Sequence, residues 1–119
     1  MMVPKTQIVD LSYLYEMTDG EGSAIKEMID IFLSQIPEYS EQFHQHFNNQ
    51  DWHQLGLLAH KAKSSVAVMG ISELADDLKK LEIDAKKGSN TEQYQKIIAK
   101  FEEKCGLAKA ELEKVYKNL

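Results

Sequence analysis

Apolar residues recur along this chain at intervals of three and four, and hardly anywhere at every second position. That spacing predicts helices with one buried stripe each and no sheet. A short first helix is expected over "DLSYLYEM", with Asp10 as its N-cap, before "TDGEG" breaks the chain. The second helix runs from about Ser23 to Phe47. Its stripe is Ile25, Ile29, Phe32, Ile36, Phe43 and Phe47, with Met28 and Tyr39 beside it. Pro37 falls inside and should kink the helix or cost it one backbone bond.

The third helix opens at Asp51, with Gln54 three residues on, and ends near Met69, where Gly70 supplies the stop. The fourth spans about Ile71 to Lys87 on a stripe of Ile71, Leu74, Ala75, Leu78, Leu81 and Ala85, and Gly88 terminates it. Ser89 and Glu92 read as a second capping box. The last helix carries Tyr94, Ile97, Ile98, Phe101, Cys105, Ala108, Leu112 and Val115. Connections this short favour antiparallel neighbours. The expected fold is all-α: an up-down-up-down antiparallel four-helix bundle with a short extra helix at the N-terminus.

Length and composition narrow the classes. At 119 residues the chain is expected to be one domain, residues 1–119, with one modest core. Nineteen acidic residues against 14 basic ones give a net charge of -5, which disfavours a general nucleic-acid binder. There is no apolar run long enough for a transmembrane helix, and "MMVPKTQIVD" lacks the apolar core of a signal peptide. Cys105 is the only cysteine and lies on an apolar stripe, so it reads as core, and no disulfide can form within the chain. A reduced, cytoplasmic setting is expected.

Against this acidic background "LAHKAKSSVAVMG" stands out. No acid occurs between Asp51 and Glu73, while Lys61 and Lys63 closely follow a histidine. Advancing about 100° per residue, Leu55, Leu58, Ala62, Ser65, Val66 and Met69 gather opposite His60. His60 therefore points away from the core. Its own side carries His53, Gly56, Ser64 and Ala67, with Leu57 and Lys63 at the margins. Small neighbours leave the imidazole clear for another macromolecule, and the lysines would attract an anion or an acidic partner. A solvated histidine with no task is the plain alternative.

Glu82 bears on that choice. It falls within the apolar stripe of the fourth helix, where a carboxylate needs a partner. Positions 60 and 82 are about equally far from the turn at residues 70 and 71, so Glu82 should lie level with His60 across the hairpin. A carboxylate that accepts from one ring N–H fixes the tautomer and frees the lone pair of the other nitrogen for nucleophilic attack. The competing reading is a boundary residue whose stem packs while its carboxylate reaches water.

Together "AHKAKSSVAVMG" and "LADDLKKLE" resemble the histidine-containing phosphotransfer (HPt) domain of two-component phosphorelays, with its A-H-x-L-K-G-S core, a glycine ten residues after the histidine and a leucine-rich helix ending in L-E. "MIDIFLSQIPEYSEQF" and "DWHQLGLLAH" are similar to the family's preceding helix and its lead-in. The resemblance runs from about Asp10 to the last helix. It implies that His60 is the phosphoacceptor, that Lys63 assists the phosphoryl group, that Glu82 holds the imidazole and that Gly70 closes the active helix. Ala62 stands where the family has leucine, and Ser64 where it has glycine.

The implied function is a phosphorelay carrier, not an enzyme, that takes a phosphoryl group from the aspartate of a response-regulator receiver domain and passes it to another receiver. A hybrid sensor histidine kinase is the other expected partner. No cofactor of its own is expected, because magnesium would come from the receiver and no nucleotide loop is visible. Steric access places docking around His60, on Phe32 at the margin, Gly56, Leu57, Ser64, Ala67 and Val68. A monomer and a free-standing carrier are expected; a piece of a hybrid kinase is the alternative for the latter.

Two rival readings compete with this one. One is a helical interaction module of the same fold that binds receivers or kinases and is never phosphorylated. The other is a metal or haem bundle using His44, His46, His53 and His60, disfavoured because these side chains point outward or apart and no Glu-x-x-His pairs occur.

Overall fold

The structure, a computed structural model, describes residues 8–119. Residues 1–7, with most of "MMVPKTQIVD" and the start of the expected domain, lie outside the described residues. Among the described residues all regular structure is helical: α1 (Ser12–Met17), α2 (Gly22–Asn48), α3 (Trp52–Val68), α4 (Ser72–Lys87) and α5 (Tyr94–Lys117). None of these helices is long and apolar enough to cross a membrane.

The expected stripes are the buried ones. Ile25, Ile29, Phe32, Tyr39 and Phe43 of α2 face the core, while Ile36 and Phe47 are half-buried at its edge. All eight apolar residues expected of α5 are buried, Cys105 included. Phe43 and Phe101 meet edge to face with centroids 5.2 Å apart, and Trp52 and Tyr94 do so at 5.1 Å. Each such side chain contributes roughly 1.5–3 kcal/mol by leaving water. The long helices pack as α2 on α3, α3 on α4, α4 on α5 and α5 on α2, so one core is shared by all.

Helix ends follow backbone chemistry. Gly70 (φ +70°) and Gly88 (φ +65°) take the left-handed conformation that ends α3 and α4. At each, two amide N–H groups turn back onto the last carbonyls: Ile71 to Val66 at 3.0 Å and Gly70 to Ala67 at 3.0 Å, then Ser89 to Asp84 at 3.0 Å and Gly88 to Ala85 at 3.2 Å. Asp51 caps α3 by accepting from the Gln54 N–H at 3.1 Å. α2 runs unbroken through Pro37, which has no N–H to give the Leu33 carbonyl.

Two local expectations are corrected. Ser89 and Glu92 form no capping box, because the Ser89 N–H is spent on Asp84 and the chain enters α5 through a single 3₁₀ turn, Thr91–Gln93, after Asn90 at φ +56°. Asp10 is not the N-cap residue of α1; that position is Leu11, and Asp10 supports the start from one residue earlier by accepting from the Ser12 N–H at 3.1 Å and its hydroxyl at 2.6 Å.

The N-terminal segment closes one end of the core. Val9, Leu11 and Leu14 are buried. The Ile8 and Val9 N–H groups donate to the Glu111 carboxylate of α5 at 3.2 and 3.1 Å, and the Asp10 N–H donates to the Met69 carbonyl at 3.2 Å. This strap lies directly over Gly70.

Candidate functional site

The core face of α3 sets the direction of His60. Leu55, Leu58, Ala62, Val66 and Met69 are all at most 6% exposed, so the residue opposite them must face solvent. The His60 side chain is 61% exposed. The side of α3 toward α4 is made of Gly56 and Ala59, both buried. Residues this small let the two helix backbones come close. A Cβ placed on Gly56 would stand 3.4 Å from the Ala85 Cβ and 3.5 Å from the Glu82 carbonyl oxygen.

That approach brings Glu82 to His60. Glu82 is buried in the apolar stripe of α4, yet its carboxylate is fully engaged. Oε2 accepts from His60 Nδ1 at 3.0 Å and from Lys86 Nζ at 3.3 Å, and Oε1 accepts from Lys63 Nζ at 3.0 Å. Burial by itself pushes the Glu82 carboxyl up. Hydrogen bonds from Lys63, His60 and Lys86 outweigh burial and hold its pKa at about 2, against an ordinary 4.5. The carboxylate is therefore ionised throughout the physiological range. A permanently ionised acceptor on Nδ1 keeps the proton there and leaves the Nε2 lone pair directed to solvent. The Glu82 side chain is only 11% exposed and both carboxylate oxygens are paired with side chains, which is not the geometry of a boundary residue.

The site residues expected from the sequence separate into two groups. His60, Lys63 and Glu82 come together within hydrogen-bond distance. Gly70 ends the helix that carries His60. Leu57, Ser64 and Ala67 are exposed and Val68 is half-buried. Phe32 and Gly56 are corrected. Phe32 is 3% exposed, because it belongs to the buried stripe of α2, and only its edge floors a shallow apolar groove of about 210 Å³ between α2 and α3. Gly56 sits one turn before His60, about 40° round the helix, and that rotation turns it onto α4 rather than outward.

Two residues were missed. Ile31 is 45% exposed on the rim of the α2–α3 groove, beside Ser64 and Val68. Its signal was an isoleucine off the core stripe of α2. Lys86 joins the Glu82 carboxylate, and its signal was the Glu-to-Lys spacing of four on one helix. The remaining histidines do not converge: His44 pairs with Glu102 at 3.1 Å and His53 is exposed. Among the described residues no three His, Cys, Asp or Glu side chains form a group that could hold a metal ion.

Comparison with known proteins bears on the fold and the family. No curated protein matches the chain. The crystal structure of histidine-containing phosphotransfer protein B (HptB) from Pseudomonas aeruginosa PAO1 is similar to it, with a TM-score of 0.87 over 97% of this chain and 99% of that one. The two are 19% identical in sequence, so the likeness is one of fold. The family model described as Hpt domain matches residues 27–116, a span that holds α3, α4 and the whole His60, Lys63 and Glu82 cluster. A match over that much of the chain shows the family: the protein belongs to the Hpt domain family.

Proposed function

We propose that this protein is a phosphorelay carrier, a single Hpt domain over residues 1–119 built as an up-down-up-down antiparallel bundle of α2 to α5 with α1 appended. The observation that carries the reading is the His60 Nδ1 to Glu82 Oε2 hydrogen bond of 3.0 Å on a side chain that is 61% exposed. It is the arrangement an imidazole nucleophile needs, with one nitrogen held and the other open.

In the transfer, the Nε2 lone pair of His60 attacks the phosphorus of an aspartyl phosphate on a response-regulator receiver. The N–P bond forms as the P–O bond to the aspartate breaks, and the aspartate leaves as a carboxylate. The ring keeps its Nδ1 proton and becomes cationic, and Glu82 stabilises that charge. Lys63, one turn from His60, offsets the phosphoryl charge. Phosphoryl transfer asks for positioning and charge neutralisation more than for covalent help. Reversal of the same step loads a second receiver. The carrier has no cofactor and no kinase activity of its own; magnesium belongs to the receiver. A hybrid sensor histidine kinase starts the relay, and the carrier works as a cytoplasmic monomer that binds neither nucleic acid nor membrane.

Docking is proposed on Leu57, Ser64, Ala67 and Val68, extended by Ile31 across the α2–α3 groove, whose lining is mostly apolar. The test is incubation with a receiver carrying labelled aspartyl phosphate. The parent takes up acid-labile label and His60→Gln takes up none while keeping its helix content. Label retained in His60→Gln, or binding of receiver with no label on the parent, rejects the carrier reading; the second result favours the interaction module.

A further inference from the structure

Glu82 receives two lysines, and the family resemblance uses only one of them. Lys86 reaches the carboxylate from its own helix, four residues on, and it bonds Oε2, the oxygen that also holds His60 Nδ1. Lys63 takes the other oxygen. The terminal torsion of a glutamate is broad, so a cation on Oε1 alone leaves the carboxylate free to rock. Cations on both oxygens pin its plane.

The stem of Lys86 passes beside Gly56. A Cβ on Gly56 would stand 3.8 Å from the Lys86 Cγ, so the lysine stem lies over the bare backbone of α3 one turn before His60. A long side chain at position 56 would occupy that lane. One carboxylate then faces two ammonium groups, which leaves a positive charge beside His60 in the resting state.

We propose that Lys86, carried across Gly56, is a positioning residue of this site: it fixes the Glu82 oxygen that binds Nδ1 and so holds His60 in the tautomer whose Nε2 lone pair meets the partner. The proposal rests on the carrier reading for its consequence in transfer, but its geometric content is independent. Lys86 is 60% exposed, so its influence is moderate.

The experiment compares Lys86→Met, which keeps the stem and removes the ammonium, with Lys86→Arg, which keeps the charge. The ¹⁵N shifts of the His60 ring are read in mildly alkaline solution, together with the rate of label uptake from a phosphorylated receiver. Lys86→Met is expected to turn a single Nδ1–H tautomer into a mixture and to slow uptake about threefold, the size of effect a half-exposed ion pair supplies. Lys86→Arg is expected to restore both. Unchanged tautomer in Lys86→Met, even with a lower melting temperature, makes Lys86 a merely structural residue and overturns the proposal. A tautomer that shifts in Lys86→Met while the parent takes up no label supports the placement of Lys86 and rejects the carrier reading instead.

Discussion

His60 Nδ1 and Glu82 Oε2 stand 3.0 Å apart although they come from different helices and 22 residues separate them in the chain. The bond joins an exposed ring to a buried carboxylate, and its strength rests on the carboxylate staying ionised. A carboxyl held at about 2 rather than 4.5 adds stability that is complete above pH 4.5 and is lost as the pH falls through 2. In Glu82→Gln that contribution is gone, so its unfolding free energy should decline less than the parent's between about pH 5 and pH 2. Chemical denaturation across that range measures the two curves. Parallel acid limbs would mean that Glu82 is not held by its neighbours.

Lys63 stands one turn beyond His60 on α3 and is 27% exposed. Lys63→Ala should slow phosphoryl uptake by roughly tenfold to a hundredfold, the value of one charge-assisted contact. Uptake should not vanish, because Lys86 keeps one cation on Glu82. A rate equal to the parent's would make Lys63 only a partner of the carboxylate.

Ser64 is exposed one turn beyond His60, and its hydroxyl is directed back to the His60 carbonyl at 3.5 Å. A receiver has to bring its aspartate to within bonding distance of Nε2, so a long side chain at this position obstructs it. Ser64→Arg should block transfer although arginine favours helix and adds positive charge. Ser64→Gly should transfer like the parent. Faster transfer by the arginine variant would show that charge, not shape, governs docking.

Gly70 has two demands on it. Its φ of +70° excludes a comfortable side chain, and a Cβ there would stand 1.9 Å from the Asp10 carbonyl oxygen. Gly70→Ala should therefore cost about 2 kcal/mol or more, by left-handed strain and by lifting the N-terminal strap. Gly106, inside α5 with nothing within 4 Å of its missing Cβ, is the control. Gly106→Ala should raise stability by up to about 1 kcal/mol. Equal effects of the two substitutions, measured by denaturation, would contradict the strap geometry.

The sequence by itself determined a great deal here, and for one reason. The period of a helix links each residue to a direction, so the stripes of α2 to α5, the outward aim of His60 and the level of Glu82 across a short turn all follow from spacing. The left-handed stops at Gly70 and Gly88 follow from the missing Cβ. Tertiary structure decided what spacing does not contain, namely how near two helices approach and how each is rotated. Gly56 reads as an open neighbour of His60 on a single wheel, and becomes the contact with α4 once α3 is turned against it. Phe32 lies on the buried stripe of α2 by spacing alone, and only the packing of α2 on α3 places it in the lining of the groove between them. Spacing pairs Lys86 with Glu82, but only close packing of α4 at Gly56 brings that pair to His60, and Asp10 meets Gly70 although they are far apart in the chain. Direction is local and periodic; distance between elements is set by the volumes of all the side chains between them.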